Sequence, residues 1–188
     1  MSLCYNDNIV SGEAGERERG DGMIRLIFSD MDGTLLDGEG NLPAEFGAMY
    51  EQLRARGIRF APASGRQYAS LVQTFAPWRD ELIFVAENGT LVMEHDRELF
   101  SRPVERALAL AVMRTGETLT GVRSVFCGKK QGYFNRVDDV SAFRAELAKY
   151  VTQSAVVEDF AGVDDVPIKM SFFFFGCTIT FILMTGFG

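Results

Sequence analysis

The sequence predicts an α/β fold, a parallel sheet followed by a second unit of α+β character, and three observations carry that prediction. Short apolar runs at 24–28, 58–63 and 82–86 alternate with stretches of helical periodicity, the pattern of parallel strands joined by helical crossings. Each run empties into acidic or small polar residues: Asp30-Met31-Asp32-Gly33, Ser64-Gly65-Arg66 and Glu87-Asn88-Gly89. Beyond about residue 89 the pattern changes to hairpins and separate helices, which places a domain boundary there.

The first run, bounded by a turn signal, reads as a strand buried on both faces. Asp30 and Asp32 then sit where the strand ends, at the rim where open α/β sheets bind ligands, and Gly33 supplies the freedom for a sharp exit. After a loop at 37–41, Pro43 suits a first helical turn, Phe46, Met49, Tyr50 and Leu53 form a core-facing stripe, and Gly57 ends the helix. The second strand leads to Ser64, and a helix follows with Tyr68, Leu71, Val72 and Phe75 aligned. The third strand ends in Asn88-Gly89, a strong turn signal. A hairpin at 91–100 begins the second unit, and Pro103 opens a helix with Val104, Leu108, Ala111 and Val112 on one face. A strand at 122–127, an extended segment near Tyr133-Phe134-Asn135, a helix from Val140 through Phe143, Leu147 and Tyr150, and strands at 155–160 and 168–175 complete it.

The chemistry concentrates in the first two turns. A carboxylate can attack phosphorus and hold a hard cation, while a second carboxylate passes a proton to the leaving oxygen and later takes one from water. The mutual repulsion of two aspartates favours keeping one protonated. Ser64, at a strand exit ahead of a helix, offers donors for an anion, although serine is also a common helix cap. A net charge of −7 over 188 residues excludes nucleic acid and anionic membrane as main partners. Cys4, Cys127 and Cys177 fall in no paired spacing, so neither a disulfide framework nor a zinc site is expected, and a reducing cytoplasm fits. His95, among charged residues, reads as a solvated turn.

Residues 1–22 read as a disordered leader, with Met23 an alternative start. Residues 171–188 carry no charge over nearly the ~20 residues of a membrane helix, but glycines and β-branched residues dilute the run. A truncated or frame-shifted end is the favoured reading, ahead of a strand that fills the open edge of the first strand, and of a membrane tail.

The string SDMDGTLLD closely resembles the first signature of the haloacid dehalogenase-like hydrolases, and Ser64-Gly65-Arg66 resembles the second. The order of elements around Asn88-Gly89 resembles the Cof-type branch. That resemblance implies a Rossmann-like parallel-sheet core at 23–88, incomplete because the family's returning strands are absent, and an inserted α+β cap at 89–170. It implies a Mg²⁺-dependent phosphatase acting on small sugar phosphates or similar metabolites through an aspartyl phosphate. Asp30 would be nucleophile and metal ligand, and Asp32 acid and base, its backbone carbonyl a further metal ligand. Ser64 and the backbone donors of Met31 and Gly65 would hold the phosphoryl oxygens. The family's phosphate-binding lysine and later acidic pair follow the cap, so Lys169, at the start of the last cap strand, is not given that lysine's role. Two other readings stand beside this one: an impaired remnant or binding module, and a phosphomutase of the same superfamily.

Overall fold

The computed structural model describes residues 3–5, 23–174 and 177–181, the first and last of these as backbone alone. The first of two sheets is built from β1 (Leu3–Tyr5), β2 (Leu26–Asp30), β3 (Arg59–Ala63), β4 (Ile83–Ala86), β5 (Leu91–Glu94) and β6 (Arg97–Ser101), side by side in that order. β2, β3 and β4 are parallel, with α1 (Phe46–Ala55) and α2 (Tyr68–Thr74) as crossings. Both helices feed one cluster in which Phe46, Tyr50, Leu71 and Phe75 meet Phe60 and Phe84 of the sheet. The Phe46 ring meets Phe60, Phe75 and Trp78 edge-on at 5.5, 5.4 and 4.9 Å, the arrangement the ring quadrupole favours.

Several expectations are corrected here. β2 is only half-buried along Leu26–Phe28: Ile27 packs on the helical cluster, whereas Phe28, on the opposite face by strand alternation, does not join it. Met49 lies at the edge of the α1 stripe and is 38% exposed. The 91–100 hairpin, assigned from sequence to the second unit, extends the first sheet antiparallel to β4. Within the expected leader, Leu3–Tyr5 pairs antiparallel with β2, so that edge is covered by β1; residues 6–22 lie outside the described residues.

The second sheet is built from β7 (Val122–Gly128), β8 (Gly132–Asn135), β9 (Ser154–Val157), β10 (Pro167–Phe174) and β11 (Cys177–Phe181), in the order β11-β10-β7-β8-β9. Part of the expected tail is therefore sheet. Ser171–Phe174 continue β10, and β11 pairs with β10 rather than with the first strand. Two helices pack here, α3 (Arg106–Glu117) and α4 (Ser141–Leu147). α3, capped by Glu105 through Ala107 N and Leu108 N, buries Ala109, Met113 and Gly116 most deeply, while the expected Leu108 and Val112 flank that face, half-buried against the same cluster. Gly116 is needed: a Cβ there would stand 2.1 Å from the Phe172 ring. Along β10, Met170 and Phe172 join the α3 cluster, so Lys169, Ser171 and Phe173 take the other face.

The second unit is hydrogen-bonded to the start of α2. Gln67 donates from its backbone to Tyr150 O (2.9 Å), and its side chain closes a pair with the Gln153 backbone at 3.0 and 2.8 Å. Ser70 Oγ donates to Tyr150 O at 3.1 Å. Among the described residues no helix is long and apolar enough to cross a membrane.

Candidate active site

β2 ends on Asp30, and the chain turns through Met31–Leu35, closed by Leu36 N donating to Met31 O at 2.9 Å. Gly33 takes φ 73°, a left-handed conformation open to glycine, and this turns the chain away while both carboxylates stay exposed at the rim. Met31 is fully buried beneath them.

The exits of β3 and β4 are tied together beside this turn. Ser64 N donates to Val85 O (2.9 Å), Asn88 N to Ser64 O (3.0 Å) and Glu87 N to Arg66 O (3.0 Å). Glu87, Asn88 and Gly89 have φ of 53°, 59° and 86° in succession. For glutamate that conformation is strained, and such strain persists where surrounding bonds over-determine it. Gly65 passes so close to Asn88 that a Cβ would lie 2.6 Å from Asn88 Oδ1.

This loop presents donors. Ser64 Oγ accepts from Arg66 N at 3.1 Å, which leaves its hydroxyl proton to give, and Gly65 N has no hydrogen-bond partner among the described residues. Helix capping does not account for Ser64, since Gln67 stands at the cap position of α2. Asp30, Ser64, Gly65 and Asn88 line a recess of about 300 Å³. Asp32, Ser64, Arg66 and Lys169 line its neighbour, about 310 Å³, whose far wall is Tyr150, Val151 and Phe173. The residues expected from sequence, Asp30, Asp32, Ser64 and Gly65, thus converge on two adjoining recesses, with Met31 packed below.

Two participants were missed. Arg66 makes a two-pronged bond to Asp32, Nη2 to Oδ1 at 2.6 Å and Nε to Oδ2 at 3.2 Å, so the nearest charge to Asp32 is a guanidinium. Nothing local to Ser64-Gly65-Arg66 announces that pairing. Lys169, expected from sequence to be a cap residue without a role at the phosphate, donates from Nζ to Gly65 O at 2.7 Å and forms an ion pair with Glu87. Both side chains are nearly sealed, 4% and 2% exposed. Burial pulls the Lys169 pKa down, but the adjacent Cys127 and Glu87 outweigh it, and the net shift is upward. Burial pushes the Cys127 thiol up to about 11. The signal for Lys169 was in the sequence: a lysine inside the apolar strand Ile168-Lys169-Met170 must be buried, hence paired.

The Gly65-Arg66 peptide is therefore held at both ends, its carbonyl by Lys169 from the second sheet and its N–H by Ser64 Oγ. Two ion pairs, Arg66 with Asp32 and Lys169 with Glu87, stand beside the recess that Asp30 lines. Among the described residues no group of three or more His, Cys, Asp or Glu side chains is placed to hold a metal.

A parallel sheet whose rim gathers carboxylates, a hydroxyl and an open amide defines an anion-handling site of the α/β class. The chain matches the haloacid dehalogenase-like hydrolases over residues 27–175 and belongs to that family. It is 34% identical over 148 residues to the 5-amino-6-(5-phospho-D-ribitylamino)uracil phosphatase YbjI of Escherichia coli, covering 78% of this chain and 54% of that one. The chain thus spans about half the length of this relative. Among solved structures, SMU.1108c of Streptococcus mutans superposes with a TM-score of 0.71 at 25% identity, over 80% of this chain and 57% of the other. The subclass IIB sugar phosphatase BT4131 shares the fold, with a TM-score of 0.65 at 18% identity over 79% and 58%.

Proposed function

We propose that this chain hydrolyses small phosphomonoesters through an aspartyl phosphate. A carboxylate oxygen of Asp30 attacks phosphorus, the P–O bond to the substrate alcohol breaks, and Asp32 gives its proton to the departing oxygen. Water then attacks phosphorus as Asp32 takes back a proton, the bond to Asp30 breaks, and inorganic phosphate leaves. Ser64 O–H and the amides of Gly65 and Met31 hold the phosphoryl oxygens. The Arg66 fork aims the Asp32 carboxylate, and proton transfer requires one prong to release.

The observation that carries this reading is the convergence of Asp30 with the Ser64 hydroxyl and the open Gly65 amide on one recess. Mg²⁺ fits the donors available: the Asp30 carboxylate and the Asp32 carbonyl would hold it, both hard oxygen ligands, with water and phosphate completing its shell. When bound it supplies charge neutralisation at the phosphoryl group. The likeness to the Escherichia coli relative supports a small phosphorylated metabolite as substrate, and the free Cys127 thiol supports a cytoplasmic setting. From the core expected at 23–88, the division we propose extends the core through the hairpin β5-β6 and begins the cap beyond Ser101. An aryl phosphate assayed with Mg²⁺ tests the reading: the wild type turns over and Asp30→Asn does not, whereas equal rates would end it.

A further inference from the structure

Lys169 lines the same recess as Ser64, yet its ammonium is engaged by the loop, donating to Gly65 O at 2.7 Å and pairing with Glu87. The C=O of Gly65 and the N–H of Arg66 belong to one peptide group, and that N–H donates to Ser64 Oγ at 3.1 Å. A continuous chain of bonds therefore runs from Lys169 Nζ through the peptide to the Ser64 oxygen. A charged donor on a carbonyl draws electron density to its oxygen and raises the double-bond character of the adjoining C–N bond, which makes the N–H of the same peptide a stronger donor. A hydroxyl that accepts a stronger bond gives its own proton to an acceptor more readily, the cooperativity of linked hydrogen bonds. The Lys169 side chain is 4% exposed, so water scarcely competes for the ammonium, and its pKa is shifted up, so it carries its charge.

Resting on the phosphatase reading, we propose that Lys169 is a positioning residue for the phosphoryl group: through the Gly65-Arg66 peptide it orients and strengthens the Ser64 hydroxyl as a donor. The Lys169–Glu87 pair is neutral as a whole, so its effect passes through the bonded chain rather than through net charge, whatever cation stands on Asp30 and Asp32. Lys169 belongs to β10 of the second sheet, and the donor strength of Ser64 thus depends on that unit being seated on the loop. The bonds from Gln67 and Ser70 to Tyr150 and Gln153 seat it there, at the start of α2.

The test is a double-mutant cycle on the full chain, read as the Kd of inorganic phosphate by titration calorimetry with Mg²⁺ present, which needs no turnover. Ser64→Ala removes the donor. Lys169→Met with Glu87→Leu removes the buried pair together and leaves the net charge beside the site unchanged. Ser64→Ala alone is expected to weaken phosphate at least about tenfold, the loss of a hydrogen bond to a charged group. Removal of the pair is expected to weaken it about three- to tenfold with Ser64 in place and less than about twofold in the Ser64→Ala background. Equal losses in the two backgrounds would overturn the proposal, because a lysine that merely props the loop displaces the Gly65 amide whether or not the hydroxyl is present. An unchanged Kd on removal of the pair, or in Ser64→Ala alone, would overturn it as well. Should the pair variant not fold, Lys169→Met with Glu87→Gln takes its place under the same criteria. Failure of the phosphatase reading shows separately, as full turnover by Asp30→Asn.

Discussion

Replacing Lys169 by methionine removes the cation that links the second sheet to the loop at Gly65. The stem volume is kept, so the loss is electrostatic. Glu87 is left 2% exposed with its charge uncompensated, and breaking a buried pair from one side costs about 3–5 kcal/mol. For a chain of 188 residues that corresponds to a fall in Tm of roughly 6–20 °C. The double variant Lys169→Met, Glu87→Leu replaces both charges by apolar groups and should recover most of the loss. The pH dependence has a definite sign. The Lys169 pKa is raised in the folded protein, so its contribution is complete below the ordinary lysine value of 10.5 and is lost as pH climbs through the higher folded value. The gap between wild type and Lys169→Met should be flat around neutrality and close at the alkaline end. Urea unfolding followed by circular dichroism, on wild type, both single variants and the double, measures the coupling. A single variant within about 1 kcal/mol of wild type, or a double variant no better than the singles, would refute the reasoning.

Gly65→Ala sets a methyl group 2.6 Å from Asn88 Oδ1; we expect kcat to fall at least about tenfold while stability drops by about 1–3 kcal/mol, read by parallel kinetics and denaturation. Arg66→Lys keeps the charge and loses the fork on Asp32, so kcat should fall on the order of tenfold with KM little changed, and an unchanged kcat would show that the fork does not aim Asp32. Cys127, buried and with its pKa pushed up to about 11, should resist alkylation in the native protein and label readily in denaturant, as peptide mapping would show.

What the sequence disclosed was local. The parallel strands and their helices follow from periodicity, and the SDMDG string places two carboxylates at a strand end because the strand, the turn and the glycine are contiguous. The pairings that complete the site are not local: Arg66 reaches back across 34 residues to Asp32, and Lys169 reaches Gly65 across 104. No window of the chain contains both members of either pair. The β5-β6 hairpin was assigned to the wrong sheet because a hairpin's alternation reads the same whichever sheet it joins, and neighbouring strand edges decide the matter. Met49 and the deepest positions of α3 differ from expectation by one helical position, because neighbouring residues at the margin of an apolar stripe share its periodicity and the packing partners decide which is sealed.

The covalent step is open to direct observation. Wild-type protein mixed with an aryl phosphate and Mg²⁺, quenched in acid within a single turnover and digested, should yield the Asp30 peptide carrying one phosphoryl group, with none in Asp30→Asn. Active protein whose phosphoryl group is found on another side chain, or on none at any time point, would contradict the assignment of Asp30 as nucleophile.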